Sequence, residues 1–246
     1  MAIFNGVKVG AHFNGVKVGG YLNGQKVFGD SEINYIKDGL TIWLDALNNT
    51  GSGHNNSATA WTDLISNTQI PIERAAWTDN ALNGISGLSN SVQFAAPVLP
   101  ALDDFTIEMI SNVTSQAGNS SRYFGQGSTN RLMIQRAIAG HIQFSINNAV
   151  SNSMTASIVN LDIGYNIALS RESGIFKIYL NGQLAGTNSA NLSFQIDQTP
   201  LFLFREYVGT TMRMYGRFNG FRAYSRALTD RELQNNFAVD SAKYLI

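Results

Sequence analysis

The chain has 246 residues and a mass of 26.8 kDa, with Lys plus Arg and Asp plus Glu equal at 17 each. A neutral chain lacks the basic excess of a nucleic-acid binder, and only 14% of its residues are charged, against about 25% in an average domain. The absence of cysteine excludes a disulfide scaffold, a thiolate-held metal and a thiol nucleophile. No run approaches the ~18 apolar residues of a membrane-spanning helix, and the first residues, Met1-Ala2-Ile3-Phe4-Asn5-Gly6, lack the charged and apolar regions of a signal peptide.

The first thirty residues repeat. Phe4-Asn5-Gly6-Val7-Lys8-Val9 recurs as Phe13-Asn14-Gly15-Val16-Lys17-Val18 and, altered, as Leu22-Asn23-Gly24-Gln25-Lys26-Val27. Each unit sets Asn-Gly between apolar residues. A type I′ hairpin turn needs φ > 0 at both central residues, which Asn tolerates and Gly adopts freely, so each unit is predicted to be a tight hairpin. Such short hairpins are marginal alone. Residues 1–30 are therefore expected to form an attachment or oligomerisation module; the alternative is a solvated tail. Lys8, Lys17 and Lys26 recur in phase, opposed by Asp30, and read as a solvated face or as guards on strand edges.

From residue 31 onward the pattern is of short strands broken by turn residues. Leu40–Leu44, Val92–Phe94, Phe105–Ile110, Leu132–Gln135, Ile142–Ile146, Ile163–Leu169 and Phe176–Leu180 are apolar runs, most with period-two alternation. Asn181-Gly182 predicts another hairpin, and Asn219-Gly220 a turn between strands at 212–218 and 221–224. About a dozen strands over some 200 residues imply an all-β, two-sheet jelly-roll sandwich. Helix is scarce. Thr229-Asp230-Arg231-Glu232 is a capping box, with Leu228 and Leu233 placed for a hydrophobic staple, so a helix is predicted over about 230–238. A weaker helical turn is predicted at 60–65.

Three stretches resemble the concanavalin A-like lectin/glucanase (laminin-G-like) domains found in bacteriophage tail and bacterial surface proteins. They are Gly39-Leu40-Thr41-Ile42-Trp43-Leu44-Asp45 followed by Trp61-Thr62-Asp63-Leu64, the hairpin at 176–186, and the closing stretch at 219–233. The resemblance covers about 35–246. Leu44-Asp45-Ala46 and Ile65-Ser66-Asn67 depart from the usual glycine-bearing turns. The resemblance implies a concanavalin A-like body at 31–246 behind the repeat segment, and the nonapeptide repeats are similar to N-terminal segments of phage tail and baseplate proteins.

Glycoside hydrolases of this fold class set carboxylates alternately along one strand. The nearest counterpart is Asp104, Thr106 and Glu108, which share a face but lack the central acid; strand and loop carboxylates are the simpler reading. Gly125-Gln126-Gly127-Ser128 reads as a turn, since no helix follows to make a phosphate site. Asp45, His54 and Asp63 form a conceivable metal set, but an Asp45–His54 hydrogen bond organising a long loop is preferred. No cofactor is expected apart from calcium, which laminin-G-like domains often bind and for which Asp79, Asn80, Asp103 and Asp104 are the loop candidates. Sugar binding requires an aromatic platform beside amides, carboxylates or Arg. The carbohydrate-binding candidates are Trp77 with Asp79 and Asn80, Tyr123, Arg131 and Tyr207, each also readable as packing. Tyr165, the row Arg131, Gln135, Arg136, His141 and Gln143, and the alternating Arg213, Arg217, Arg222 and Arg226 are further polar surfaces, the last a sheet face or subunit interface.

Taken with the resemblance, these features lead to the expectation of a phage tail or baseplate appendage. It would be a non-catalytic receptor-binding protein that attaches to host cell-surface carbohydrate as a homotrimer, beside other tail or baseplate proteins. It would reside in the virion after assembly in the host cytoplasm, with neither nucleic-acid partner nor membrane insertion. The alternatives are a virion decoration protein without sugar binding, a secreted bacterial adhesin and a polysaccharide-cleaving enzyme of the same fold.

Overall fold

The computed structural model describes residues 34–78, 80–84, 91–116, 120–137, 140–146, 153–188, 195–205 and 214–246, together with six short strands within 1–30. Those six form three antiparallel pairs: β1 (Ala2–Phe4) with β2 (Val7–Val9), β3 (His12–Phe13) with β4 (Val16–Lys17), and β5 (Gly20–Leu22) with β6 (Gln25–Phe28). Phe4 faces Val7, Phe13 faces Val16 and Leu22 faces Gln25, so the strands on either side of each Asn-Gly pair with one another; the Asn-Gly residues themselves lie outside the described residues.

The body is a β-sandwich. In chain order its strands are β7 (Leu40–Asp45), β8 (Ala60–Thr62), β9 (Gln69–Glu73), β10 (Ala75–Thr78), β11 (Ala81–Gly84), β12 (Ser91–Gln93), β13 (Phe105–Gln116) and β14 (Ser120–Gln126). There follow β15 (Leu132–Ala137), β16 (His141–Ile146), β17 (Ser153–Ile158), β18 (Gly164–Glu172), β19 (Ile175–Leu180), β20 (Gln183–Asn188), β21 (Phe202–Leu203) and β22 (Met214–Tyr224). Among the described residues one sheet runs β10–β11–β22–β13–β18–β19–β20, with β7 also paired to β22, and the other runs β17–β16–β15–β14–β21–β12–β9–β8. Alternate residues point inward: Phe105, Ile107 and Met109 from β13, Ile167 and Leu169 from β18, and Phe176 and Ile178 from β19 meet Phe124, Ile134, Phe144 and Leu203 of the opposite sheet. Each fully buried side chain of this size contributes about 1.5–3 kcal/mol.

Local sequence explains the details. Asn181 and Gly182 both adopt positive φ, 51° and 71°, in the β19–β20 hairpin, as the turn chemistry requires. The helix α1 (Asp230–Tyr244) begins at the predicted capping box, where Thr229 accepts from the Glu232 N–H and Glu232 reaches back to the Thr229 N–H. It runs six residues beyond the predicted end, because its later buried positions are Asp240 and Tyr244 rather than aliphatics.

Two expectations are corrected. The 60–65 segment is not helical: it is strand β8 followed by a turn. The Asn219-Gly220 pair is not a turn but lies inside the single strand β22. There Phe218 faces Ser111 and Gly220 faces Ile110, leaving Asn219 as the extra residue of a bulge. The bulge coincides with a change of partner on the other edge of β22, from β11 at 217–218 to β7 at 220–224. Gly220 is constrained by space, since a Cβ would lie 3.1 Å from both Ile110 Cδ1 and the Leu44 carbonyl oxygen.

Candidate functional site

The outer face of the β7-containing sheet is closed by α1. Beneath the helix, Arg222 of β22 stands directly across from Glu108 of β13. Arg222 Nε donates to Glu108 Oε2 at 2.9 Å, and its two terminal nitrogens donate to the Asp240 carboxylate at 2.9 and 2.6 Å. Asn236 donates to Glu108, while Asn166 and the Tyr35 hydroxyl donate to Asp240. All three charged side chains are at most 1% exposed. Burial pulls the Arg222 pKa down, but Asp240 and Glu108 outweigh it and hold the guanidinium charged. Burial pushes Glu108 up despite Arg222. Glu108 therefore belongs to a sealed ion network, and the acidic row that began with Asp104 does not form on an open face. Asp104 instead accepts from the Ser173 N–H at 2.7 Å.

The rim of the sandwich is built differently. After β7, Asp45 caps a 3-10 turn at Ala46–Asn48 by accepting from the Leu47 N–H. The loop that follows is held by its own side chains. Asn49 donates to the Asn55 carbonyl at 2.9 Å and accepts from the Asn55 N–H at 2.8 Å. Asn48 accepts from the Gly53 N–H, and the Thr50 hydroxyl donates to the Gly53 carbonyl. Gly51 and Gly53 take φ of 81° and 135°, conformations that suit glycine. Between this loop and strands β8 and β9 lies a pocket of about 260 Å³. It is lined by the amides Asn49, Asn55 and Gln69, by the hydroxyls Thr50, Ser57, Thr59 and Thr62, and by the small Ala58 and Ala60, with no charged side chain. Ligand pockets generally run ~300–1,000 Å³, so this one has room for about one sugar ring.

A second opening follows β7. Clefts of about 360 and 230 Å³ share Thr41, Ile42, Pro97 and Val98; Asp103, Asp104 and Gln198 border the larger, and Asp63, Ser66 and Thr68 the smaller. Asp63 is fully committed to structure. It accepts from the N–H groups of Trp43, Ile65 and Ser66 and from the Ser66 hydroxyl, while the Leu64 N–H donates to the Trp43 carbonyl. The two motifs at 39–45 and 61–64 are thus joined.

The candidate residues named from the sequence are dispersed. Trp77 and Tyr123 are 6% and 1% exposed, because each occupies an inward position of its strand, so neither ring is a platform for sugar. Trp77 nevertheless supports the rim pocket from below, its indole N–H donating to the Ala58 carbonyl at 2.9 Å and its ring lying edge-on to Trp61 and His54. Asn80 is exposed, and its carbonyl accepts from the Asn219 side chain. Arg131 is half-buried. Asp79 and Tyr207 lie outside the described residues. The expected Asp45–His54 bond does not form. His54 uses Nδ1 for the Ala46 carbonyl and Nε2 for Asn56, whereas Asp45 is taken by Lys243 and Tyr244 of α1. Among the described residues no three His, Asp or Glu side chains are grouped to hold a metal. Of the alternating arginines, Arg213 lies outside the described residues, Arg222 is buried, and Arg226 pairs with Asp38 and Glu232. Gln135 and Gln143 do meet across β15 and β16. The amide-lined rim pocket itself was missed; its signal was the Asn/Ser/Thr density over 48–62 next to two tryptophans.

Comparison with known proteins assigns the domain. The family model for the concanavalin A-like lectin/glucanases superfamily, of laminin G type, matches residues 86–234, more than half the chain. The chain belongs to this family. No curated protein matches it. Among solved structures it is similar to the Trypanosoma rangeli sialidase in its covalent-intermediate complex, with 15% identity, TM-score 0.65, 81% of this chain and 33% of that one covered. It is also similar to a mutant of that sialidase displaying trans-sialidase activity, with 14% identity, TM-score 0.66 and 83% and 33% covered. The chain thus spans about a third of the sialidase chains it matches, and identities this low carry the fold alone. The expected phage receptor-binding role and the expected lack of enzymatic activity are set aside on these matches, whose proteins are sialidases and not phage appendages.

Among the described residues no helix is long and apolar enough to cross a membrane.

Proposed function

We propose that this chain is a lectin-like domain of a glycan-cleaving protein and that it holds saccharide in the rim pocket. The observation that carries the reading is the lining of that pocket: amides and hydroxyls without charge, on a loop already fixed by its own hydrogen bonds. Neutral sugar hydroxyls both donate and accept, as amides and hydroxyls do, and a preformed loop loses little entropy on binding. Family membership and the sialidase likeness agree with this use of the fold.

A second reading is cleavage by this chain itself. It is favoured by Asp103 and Asp104, two carboxylates bordering the larger cleft along β7. Acid and nucleophile or base chemistry on a glycosidic bond needs such a pair.

The test is a glycan array followed by calorimetry on the best binders, with Asn49→Ala as the pocket variant, and reducing-end and free-sugar release assays on the same glycans with Asp103→Asn and Asp104→Asn. Binding that is lost in Asn49→Ala supports the pocket. No binding to any saccharide sinks it. No release by wild type overturns the second reading, and release that survives both Asp variants overturns the assignment of the pair.

A further inference from the structure

A second surface of different chemistry lies at the far end of α1. Lys37 precedes β7, Trp43 is on β7 and Lys243 is in the last helical turn. Lys37 Nζ sits 3.6 Å above the centroid of the half-buried Trp43 ring, and Lys243 Nζ is 6.0 Å from the same centroid. Tyr35 meets Trp43 edge-on, at 5.4 Å between ring centroids, and fixes its plane.

The nearby carboxylates are assigned elsewhere. Asp38 pairs with Arg226, Asp45 with Lys243 and Tyr244, and Asp240 with Arg222. Among the described residues Lys37 is thus matched with an aromatic face and no carboxylate. Burial pulls its pKa below the usual lysine range, and the positive charges of Arg222 and Lys243 pull it further. Lys243 already has Asp45 as its partner and Arg222 has Glu108 and Asp240, so the charge left without a carboxylate is that of Lys37. An oxyanion at its ammonium makes a charge-assisted hydrogen bond, stronger than a neutral one, and the indole holds the ammonium in place by cation–π attraction.

We propose that Lys37, held over the Trp43 ring, forms an anion subsite that takes the carboxylate or sulfate of an acidic saccharide. It rests on the carbohydrate reading above. It differs from the rim pocket in chemistry, since it reads charge where the rim pocket reads hydroxyls. A neutral glycan engages the rim alone.

The experiment titrates the full chain with a uronic acid oligomer, with its methyl-esterified neutral counterpart and with inorganic sulfate, in wild type, Lys37→Met, Lys37→Arg and Asn49→Ala, the Lys37 variants checked for an unchanged unfolding midpoint and Asn49→Ala for being folded at the assay temperature. Wild type is expected to favour the uronate about tenfold over the ester, the worth of one charge-assisted contact. That preference should shrink as salt rises, vanish in Lys37→Met and persist in Lys37→Arg. Asn49→Ala should weaken both oligomers equally and leave their ratio intact. Equal affinity for uronate and ester in wild type, or a preference that survives Lys37→Met, overturns the subsite. If sulfate binds, is lost in Lys37→Met, and no oligomer binds in any variant, the saccharide is overturned as the occupant and the carbohydrate reading fails with it. Failure of the ester alone, with uronate still bound through Lys37, counts against the rim pocket and supports the subsite.

Discussion

The face beneath α1 and the rim loop at 48–60 are both built from Asn and hydroxyls, the first with carboxylates added, yet they use them in opposite ways. Under the helix, Glu108, Arg222, Asp240, Asn166 and Asn236 bond to one another and are buried, with Glu108 Oε1 and Asn166 Oδ1 left without a partner. At the rim, Asn49 is buried and holds the loop through Asn55, while the side chains of Asn55 and Gln69 stay exposed on the pocket wall. Charge is the difference. A buried guanidinium with two carboxylates locks one arrangement and costs several kcal/mol if broken. Neutral amides can be left facing solvent without a desolvation debt, so they suit a surface that exchanges water for ligand.

The sharpest way to break the comparison is Arg222→Met. It strands Glu108 and Asp240 as buried carboxylates, and the expected loss is about 3–5 kcal/mol, measured by chemical denaturation. The folded fraction should keep wild-type affinity at the rim. A loss below ~1 kcal/mol shows that the network is wet and not sealed. Asn49→Ala acts on the other region. Asn49 is fully buried and makes two bonds to Asn55, so about 1–3 kcal/mol of stability and at least tenfold in saccharide affinity should go together. Affinity unchanged in a destabilised variant separates the loop from the site.

Trp77→Phe is milder. It keeps a buried ring and removes the indole donor to Ala58, so about 1 kcal/mol is expected, with a few-fold loss in affinity as the pocket wall loosens. If affinity collapses and Trp fluorescence shifts on adding sugar, the ring meets ligand after all and the assignment of Trp77 to the core is wrong.

Much of this architecture was legible from residues. Period-two runs marked β13, β16, β18 and β19, and Asn181-Gly182 fixed a turn because its two positive φ values suit those residues. The Asn219-Gly220 pair misled because an identical dipeptide serves a bulge when β-strands flank it on both sides; what decides is β13 and β7, far away in sequence. The end of α1 was hidden since Asn236 and Asp240, polar residues, occupy its buried stripe, their partners Glu108 and Arg222 lying on other strands. The site was least legible. Trp77 has Thr78 beside it, which strand alternation turns outward while the ring turns inward; Tyr123 is the extra residue of an irregularity in β14, between the buried Arg122 and Phe124, and sequence alternation cannot place it. The pocket depends on Gln69 and Asn49, twenty residues apart, being brought to one rim.

The smallest effect separates the helix cap from the network it covers. Glu232 accepts from Arg226 and from the Thr229 N–H and hydroxyl, and these, Arg226 foremost, lower its pKa from 4.5 to about 2. A depressed carboxylate pKa means that the unfolded chain binds the proton more readily, so the contribution to stability is full above pH ~4.5 and is lost as pH falls toward ~2. The side chain is partly open to solvent, which screens the pair, and the expected worth is at most about 1 kcal/mol. Glu232→Gln should therefore be slightly less stable than wild type at pH 7 and converge with it near pH 2. The sealed network does not depend on this cap: its Arg222, Glu108 and Asp240 bonds lie further along α1 and beneath it. A Glu232→Gln curve parallel to wild type at every pH down to ~2 means that the cap carries no pH-dependent stability. A drop as large as that of Arg222→Met means that closure of the face begins at the cap, and the two halves of the comparison are then coupled through the first turn of the helix.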